Sequence, residues 1–389
     1  MTWRLIIEDG VSAAYGLTAD EAVTHRVGRG LSPQTVRLYT YRSHCGLVGR
    51  FQTVENEIHL DYCRRHGIEV NRRPTGGGAI IMGADQLGVA LMLARSDRTA
   101  YGRAREIMAQ FSRGLLLALE ALGIRAVFRR KNDLEVDCRK IAGLGLYRHP
   151  QGGLLFHASL LVDLDIPLML RVLKTPFEKI SDKHIHTVAE RMTTVHRELG
   201  RAISVDEVRE AVARGFARAF ELELTPGTFD ADERQAIREL EERKYRNPEW
   251  IFQTADVPEA EGRAVLKTDG GLLDVRVSLA GRTIKAAYIR GDFFANEQAI
   301  ADLEAHLRWH SSDADAVRKT VSRVYHQHQH DWSLISLSSL CEAIEQAIEH
   351  GAHHLNQSGE QPYGCFVTPR PVPCLSWCKS SGRTGAFPK

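Results

Sequence analysis

The segment Asn71-Arg72-Arg73-Pro74-Thr75-Gly76-Gly77-Gly78-Ala79 sets two arginines beside three consecutive glycines. Glycines let main-chain N–H groups approach a ligand closely, and guanidinium groups add charge-assisted donors, so the pattern predicts an anion cradle for a carboxylate or phosphate. The plainer reading is a flexible turn. It is not a P-loop, because no Gly-Lys-Ser/Thr follows at the required spacing. A second segment runs Lys131-Asn132-Asp133-Leu134-Glu135-Val136-Asp137-Cys138-Arg139-Lys140-Ile141-Ala142-Gly143. Lys140 is either an exposed turn residue or a fixed ammonium beside a reacting carboxyl or phosphoryl oxygen, where it would stabilise developing negative charge. Asn132-Asp133 reads either as a turn between strands or as a receiver for a nucleotide or Mg²⁺.

Regular elements must hold these groups. Leu154, Phe156, Ala158, Leu160, Val162 and Leu164 share one face of an extended run, leaving His157, Ser159 and Asp163 on the other, which predicts a half-buried strand with a polar face for ligand. Helices are predicted at Thr18 to Gly28 and at Arg103 to Leu122, the second from Ile107, Phe111, Leu115 and Leu119 with Gly123 as its stop. Val36 to Tyr41 reads as extended. Ser204 with Glu207 forms a capping box for a helix through Phe220. Asp230 to Lys244, ending at the Asn247-Pro248 breaker, reads as a helical linker. Gly271 to Arg290 predicts two strands turning at Ala280-Gly281-Arg282, and helices are expected at Glu297 to Trp309 and Ser336 to His350.

The 389 residues carry 51 Lys plus Arg against 49 Asp plus Glu, a net charge of +2. So even a balance removes any composition-level case for nucleic acid or acidic membranes, and any bound anion must be held locally. The length predicts two or three domains, and 43% hydrophobic with 26% charged residues is ordinary for a globular chain. Met1 to Gly10 lacks a secretory pattern, and the longest apolar stretches are broken by Asp85, His157, Asp163 and Asp165, so a cytoplasmic enzyme without a membrane segment is expected. Seven cysteines do not suggest a disulfide framework. Cys365, Cys374 and Cys378 do not have a standard metal-site spacing. His326, His328 and His330 would share one face of a strand, and they read as a solvent-facing polar segment rather than a zinc site.

Taken together, Gly49-Arg50-Phe51-Gln52, Arg72 to Ala79, Asn132-Asp133, Arg139-Lys140-Ile141-Ala142-Gly143 and His157-Ala158-Ser159-Leu160-Leu161 resemble the lipoate-protein ligase family. Asp20-Glu21-Ala22 near the start and Lys179-Ile180-Ser181-Asp182-Lys183 through Arg191 extend the likeness. Gly271, Ile284 and Gly291-Asp292-Phe293-Phe294 are similar to the accessory lipoate-ligase domain. The resemblance implies a mixed α+β fold: a biotin/lipoate-ligase-like catalytic domain over 1–228, a linker over 229–262, a smaller α+β accessory domain over 263–350 and a Cys-containing tail over 351–389. It implies ATP-dependent activation of lipoate or octanoate to acyl-AMP, with Mg²⁺ as ATP's partner, and transfer to a lysine of a lipoyl-carrier protein.

In that scheme Lys140 polarises the acyl carbonyl. Arg72, Arg73, Thr75, Gly76, Gly77, Gly78, Ala79, Asn132, Asp133, Gly143, His157 and Ser159 bind substrate or adenylate, and Asp133 is the candidate contact for Mg²⁺. Leu87, Val89, Leu144 and Leu146 are candidates for the acyl slot, or ordinary core. One branch of the transferase relatives carries a cysteine a few residues upstream of the Arg-Lys motif. Phe128 to Asp133 has none, so the resemblance favours a ligase over a thioester-using octanoyl or lipoyl transferase. Ile80-Ile81-Met82-Gly83 replaces the aromatic-His-Asp sequence common after the glycines, and Asp85-Gln86-Leu87 is transferase-like, which keeps octanoate in view as the acyl group. A non-catalytic module that binds lipoyl domains is the alternative from another class.

Overall fold

The computed structural model describes residues 1–95, 102–129, 132–149, 151–174, 190–253 and 262–358. The tail cysteines, Lys131 and the Lys179–Lys183 stretch lie outside these residues. An eight-stranded mixed sheet forms the centre of the larger unit, in the order Glu223–Pro226, Thr2–Val11, Thr35–Tyr41, Gln86–Ala94, Gly153–Leu161, Arg139–Arg148, Asp133–Val136 and Val127–Arg129. Alternation along its strands feeds two cores. On one face Leu87, Val89, Leu91, Leu146 and Phe156 pack with the helices Ala104–Ala121 and Val205–Phe220. Ser204 caps the second of these, its Oγ accepting from the Glu207 amide at 3.1 Å. On the other face Tyr39, Tyr41, Ala90, Met92 and Leu155 meet the helix Ala13–Gly28 through Leu17, Val23 and Val27.

Beside this second face sits a three-stranded sheet. Cys45–Val48 runs at its centre, parallel to Glu69–Arg72 and antiparallel to Ile80–Met82. The glycine segment is therefore the connection between two strands of a small sheet. The smaller unit is a four-stranded antiparallel sheet, Gly262–Thr268, Gly271–Ala280, Thr283–Gly291 and His310–Ser311, packed on the helices Glu297–Leu307, Ala314–Gln327 and Leu337–Ser358. Sequence periodicity missed the strand Gly262–Thr268 and the helix Ala314–Gln327. His326 belongs to that helix and His328 is its C-cap, so the three histidines do not share a strand face. His328 instead lies between Asp302 and Asp331, at 2.8 and 3.2 Å.

The two units exchange phenylalanines: Phe51 is buried in the core of the smaller unit and Phe294 in that of the larger. The linker is the helix Ala231–Leu240, a π-helical turn Glu241–Tyr245 and the short helix Pro248–Phe252. It is pinned to the first helix at Glu21, whose buried carboxylate takes both of its oxygens to within 2.8 Å of the Lys244 ammonium and also accepts from the Tyr245 hydroxyl. Burial alone would raise this carboxyl, but Lys244 and His25 bring it down to about 2. The pinning is thus fully present above the ordinary carboxyl value of 4.5 and is lost as pH falls from there through about 2. Urea midpoints measured down that range should fall more steeply for the wild type than for Glu21→Gln; equal slopes would show that Glu21 carries none of the acid sensitivity.

Candidate active site

A cavity of about 200 Å³ opens where the glycine segment, the strands Arg139–Arg148 and Gly153–Leu161, and the smaller unit meet. Leu17, Tyr39, Tyr41, Leu47 and Met82 line its apolar part, and Asn132, Asp133, Lys140 and Ser159 contribute polar groups. Apolar walls with a few convergent polar groups are the ordinary constitution of a small-molecule site.

Lys140 owes its position to a hairpin. Asp137 and Cys138 turn with φ of 46° and 62°, the left-handed pair that a tight two-residue turn requires. The ladder then shifts between Leu134–Ala142 and Glu135–Lys140, leaving Ile141 as the extra residue. A bulge re-aims side chains beside it, and the Lys140 ammonium comes to rest 2.8 Å from Asp133 Oδ1. The Asp133 carboxylate read as a contact for Mg²⁺ thus meets an ammonium from its own chain. Among the described residues no group of three or more His, Cys, Asp and Glu is arranged to hold a metal ion. Asn132 donates from Nδ2 to the Leu144 carbonyl at 2.9 Å. Gly143 keeps the Lys140 path open, since a Cβ there would stand 3.0 Å from the ammonium nitrogen.

Arg73, Gly76, Gly77, Gly78, Ala79, Gly143, His157 and Ser159 also line the cavity. Arg73 serves the shape of the loop: it donates to the carbonyls of Leu47 at 2.6 Å and Gly78 at 2.7 Å, and burial pulls its pKa down to about 10. His157 is tied through Nε2 to the Thr75 hydroxyl at 2.9 Å. Burial and the nearby Arg73 lower its pKa to about 3, so its imidazole is neutral at physiological pH. Thr75 stands behind the lining, holding His157. Gly145, which motif reading passed over, leaves the space for that ring: a Cβ there would lie 2.2 Å from His157 Nε2.

Arg72 does not enter the cavity. Its fully buried guanidinium donates to main-chain carbonyls on the 49–52 turn and on the linker helix Pro248–Phe252, so the role expected for it as an anion ligand is corrected by its geometry. A similar correction applies to the acyl slot. Of the four leucine and valine candidates only Leu144 touches the cavity, whereas Leu87, Val89 and Leu146 point to the helix-covered face of the sheet. Sequence reasoning missed Tyr39, Tyr41 and Met82 because they sit on other strands, far from any motif.

The smaller unit closes one side. Asp292 lines the cavity, and the Phe293 carbonyl faces the Gly77 amide at 3.4 Å. Gly76 is required by this approach, since a Cβ would lie 2.1 Å from the Phe293 oxygen. Gly76→Ala should therefore loosen the contact between the units at a cost of about 1–3 kcal/mol. Thermal unfolding together with hydrogen exchange at residues 291–294 would register it, and unchanged exchange there would show that residues 291–294 are not held by this contact.

Among the described residues no cysteine lines the cavity. Cys45 and Cys63 are buried, and burial raises both thiols above their ordinary range; Cys138 is exposed at the hairpin tip.

Comparison with known proteins gives this geometry a family. Residues 12–217 match the lipoyl protein ligase A/B catalytic domain, and residues 258–344 match the bacterial lipoate protein ligase C-terminus. Octanoyltransferase LipM of Geobacillus kaustophilus is 30% identical over 64% of this chain and 98% of its own length. Octanoyltransferase LipM of Symbiobacterium thermophilum is 31% identical over 64% of this chain and 97% of its own. A bipartite lipoate protein ligase from Thermoplasma acidophilum, solved as a lipoylation system with its E2 lipoyl domain, superposes with a TM-score of 0.58 at 29% identity, covering 65% of this chain and 96% of that one. Lipoate-protein ligase A bound with ATP gives 0.57 at 27% identity, covering 64% and 98%. The LipL1 protein of P. falciparum, in complex with lipoate, shares the fold over 88% of this chain and 99% of its own, with a TM-score of 0.67 at 14% identity. The run of relatives named octanoyltransferase overturns the expectation of ATP-dependent lipoate activation and favours its transferase alternative. With a catalytic-domain match over more than half its length, a cavity at that domain's glycine segment and a second match over the smaller unit, this chain is a member of the lipoyl protein ligase A/B family.

Proposed function

We propose that this protein is an acyltransferase that moves an octanoyl or lipoyl group from a thioester donor onto a lysine of a lipoyl-carrier protein. The observation that carries the reading is its likeness to the octanoyltransferases, nearly the whole of whose length it matches. The cavity agrees with the substrate class. Its apolar walls at Leu17, Leu47 and Met82 suit a medium alkyl chain, while Lys140 and Ser159 meet the polar end. The carrier reading draws on the Thermoplasma ligase, whose structure was determined as a system with a lipoyl domain.

In the reaction the carrier amine attacks the thioester carbonyl. A C–N bond forms, the C–S bond breaks, and the amine's proton leaves with the thiol. Negative charge gathers on the carbonyl oxygen in between, and the Lys140 ammonium, held by Asp133, is the fixed charge available to stabilise it. A thioester is already activated, so the demands left to the protein are orientation and charge stabilisation. Among the described residues no thiol lines the cavity, which supports direct passage of the acyl group to the amine.

The test is incubation with an octanoyl thioester and a lipoyl domain without ATP, read by intact mass of both proteins. Octanoylated lipoyl domain with an unmodified enzyme is expected. A carrier modified only when free octanoate, ATP and Mg²⁺ are supplied would overturn the reading, and an octanoylated enzyme would overturn the direct route.

A further inference from the structure

The side chain of Arg72 accounts for its donors in an unusual way. Its Nη1 reaches the carbonyls of Gly49, Arg50 and Gln52 at 3.0, 3.0 and 2.6 Å. Nε reaches those of Trp250 and Ile251 at 3.0 and 3.1 Å, and Nη2 that of Phe252 at 3.4 Å. Among the described residues no carboxylate forms an ion pair with it. The last carbonyls of a helix lack intrahelical partners and favour a cation, so this guanidinium completes the end of the helix Pro248–Phe252. The linker answers through the Trp250 indole, which donates to the Arg72 carbonyl at 3.2 Å. One residue earlier, Asn71 Nδ2 donates to the Tyr245 carbonyl at 2.9 Å.

What Arg72 grips on its other side is a wall of the glycine cradle. The 49–52 turn bonds the segment directly, with the Arg50 amide donating to the Thr75 carbonyl at 2.8 Å. Gly49 lies so close beneath Gly77 that a Cβ would stand 1.9 Å from its carbonyl oxygen. The same turn carries the contacts to the smaller unit: Phe51 stacks on Phe293 at 4.8 Å and Arg50 pairs with Glu297 at 2.5 Å.

We infer that Arg72 is a positioning residue: it ties the end of the linker helix to the 49–52 turn and so sets the shape of the glycine cradle, without touching substrate. The inference rests on the acyl-transfer reading for its kinetic consequence only. A lysine cannot span the carbonyls on both sides, because it offers one point charge in place of a planar fork. Arg72→Lys should therefore lower kcat by about 10–100-fold, the penalty of a cradle displaced by roughly an ångström, with KM for the octanoyl thioester changing less than threefold.

The discriminating measurement is amide hydrogen exchange on the full chain. Arg72→Lys should raise exchange together at residues 76–78 and at 250–253, while residues 107–119 of the core helix stay protected. Exchange rising at the linker alone, or evenly over the chain, would overturn the inference, as would full kcat. Should Arg72→Lys fail to fold, Trp250→Phe removes one bond from the linker side and should produce the same paired rise at smaller amplitude; a rise at 250–253 only would again overturn it. Exchange needs no turnover, so a wild-type protein that transfers no octanoyl group would sink the proposed function and leave the role of Arg72 to be decided by exchange.

Discussion

Lys140→Ala is expected to lower octanoyl transfer by about 10²–10³-fold, the cost of removing one fixed stabiliser of a developing oxyanion. Stability should hardly change. The side chain is 30% exposed and its ion pair to Asp133 at 2.8 Å is partly solvated, an arrangement contributing about 0–1 kcal/mol. Lys140→Arg should not restore the rate, because the strand Arg139–Arg148 brings a compact ammonium to the cavity and a guanidinium would carry its charge on a broader, planar group. Initial rates followed by carrier mass, beside melting temperatures of the same preparations, separate the two effects. More than a tenth of the wild-type rate in Lys140→Ala would remove Lys140 from the chemistry, and a parallel loss of folding would make it a structural residue.

Asp20→Ala should be the most destabilising of the substitutions considered, at about 3–5 kcal/mol. Asp20 is 1% exposed and Arg37 is fully buried, with Arg37 Nη1 only 2.8 Å from Asp20 Oδ1. Burial works against both charges, pushing the carboxyl up and the guanidinium down. Arg37 opposes the first shift, and Asp20 with Glu8 reverses the second. Removing the carboxylate leaves a buried cation with Glu8, the Gly16 carbonyl and the face of the Tyr39 ring still beside it. It also releases the Tyr39 hydroxyl, which donates to Asp20 Oδ2 at 3.0 Å. Since Tyr39 lines the cavity, the fraction that folds should transfer poorly as well. Urea unfolding would measure the first effect, with Asp20→Asn as the milder comparison because it keeps acceptors for Tyr39. A cost under about 1 kcal/mol would show that Glu8 alone suffices for Arg37.

These expectations mix residues that motifs revealed with residues they did not. Lys140, Asn132, Asp133 and the three glycines were legible because chemistry concentrates unusual residue types in short segments. The helix Ala104–Ala121 and the strand Gly153–Leu161 were legible because one-sided burial imposes a period on the chain. The helix Ala314–Gln327 escaped because its buried positions, Val317, Thr320, Val321 and Val324, are separated by charged residues and followed by alternating histidines that imitate a strand. The preference for a ligase drew activity from the lack of a cysteine in one short stretch, Phe128 to Asp133, where likeness over whole relatives points to the transferases.

The sequence by itself determined the family, the mixed α+β class and the polar groups Asn132, Asp133, Lys140 and Ser159 of the cavity, since these are written in local residue order, whereas its apolar wall at Tyr39, Tyr41 and Met82 was not. The tertiary structure decided which of two adjacent arginines faces that cavity. Arg73, the first residue after the strand Glu69–Arg72, lines it, whereas Arg72 turns to the linker, where the last carbonyls of the helix Pro248–Phe252 lack intrahelical partners. No spacing rule could report this, for those carbonyls belong to a segment nearly 180 residues away in the chain.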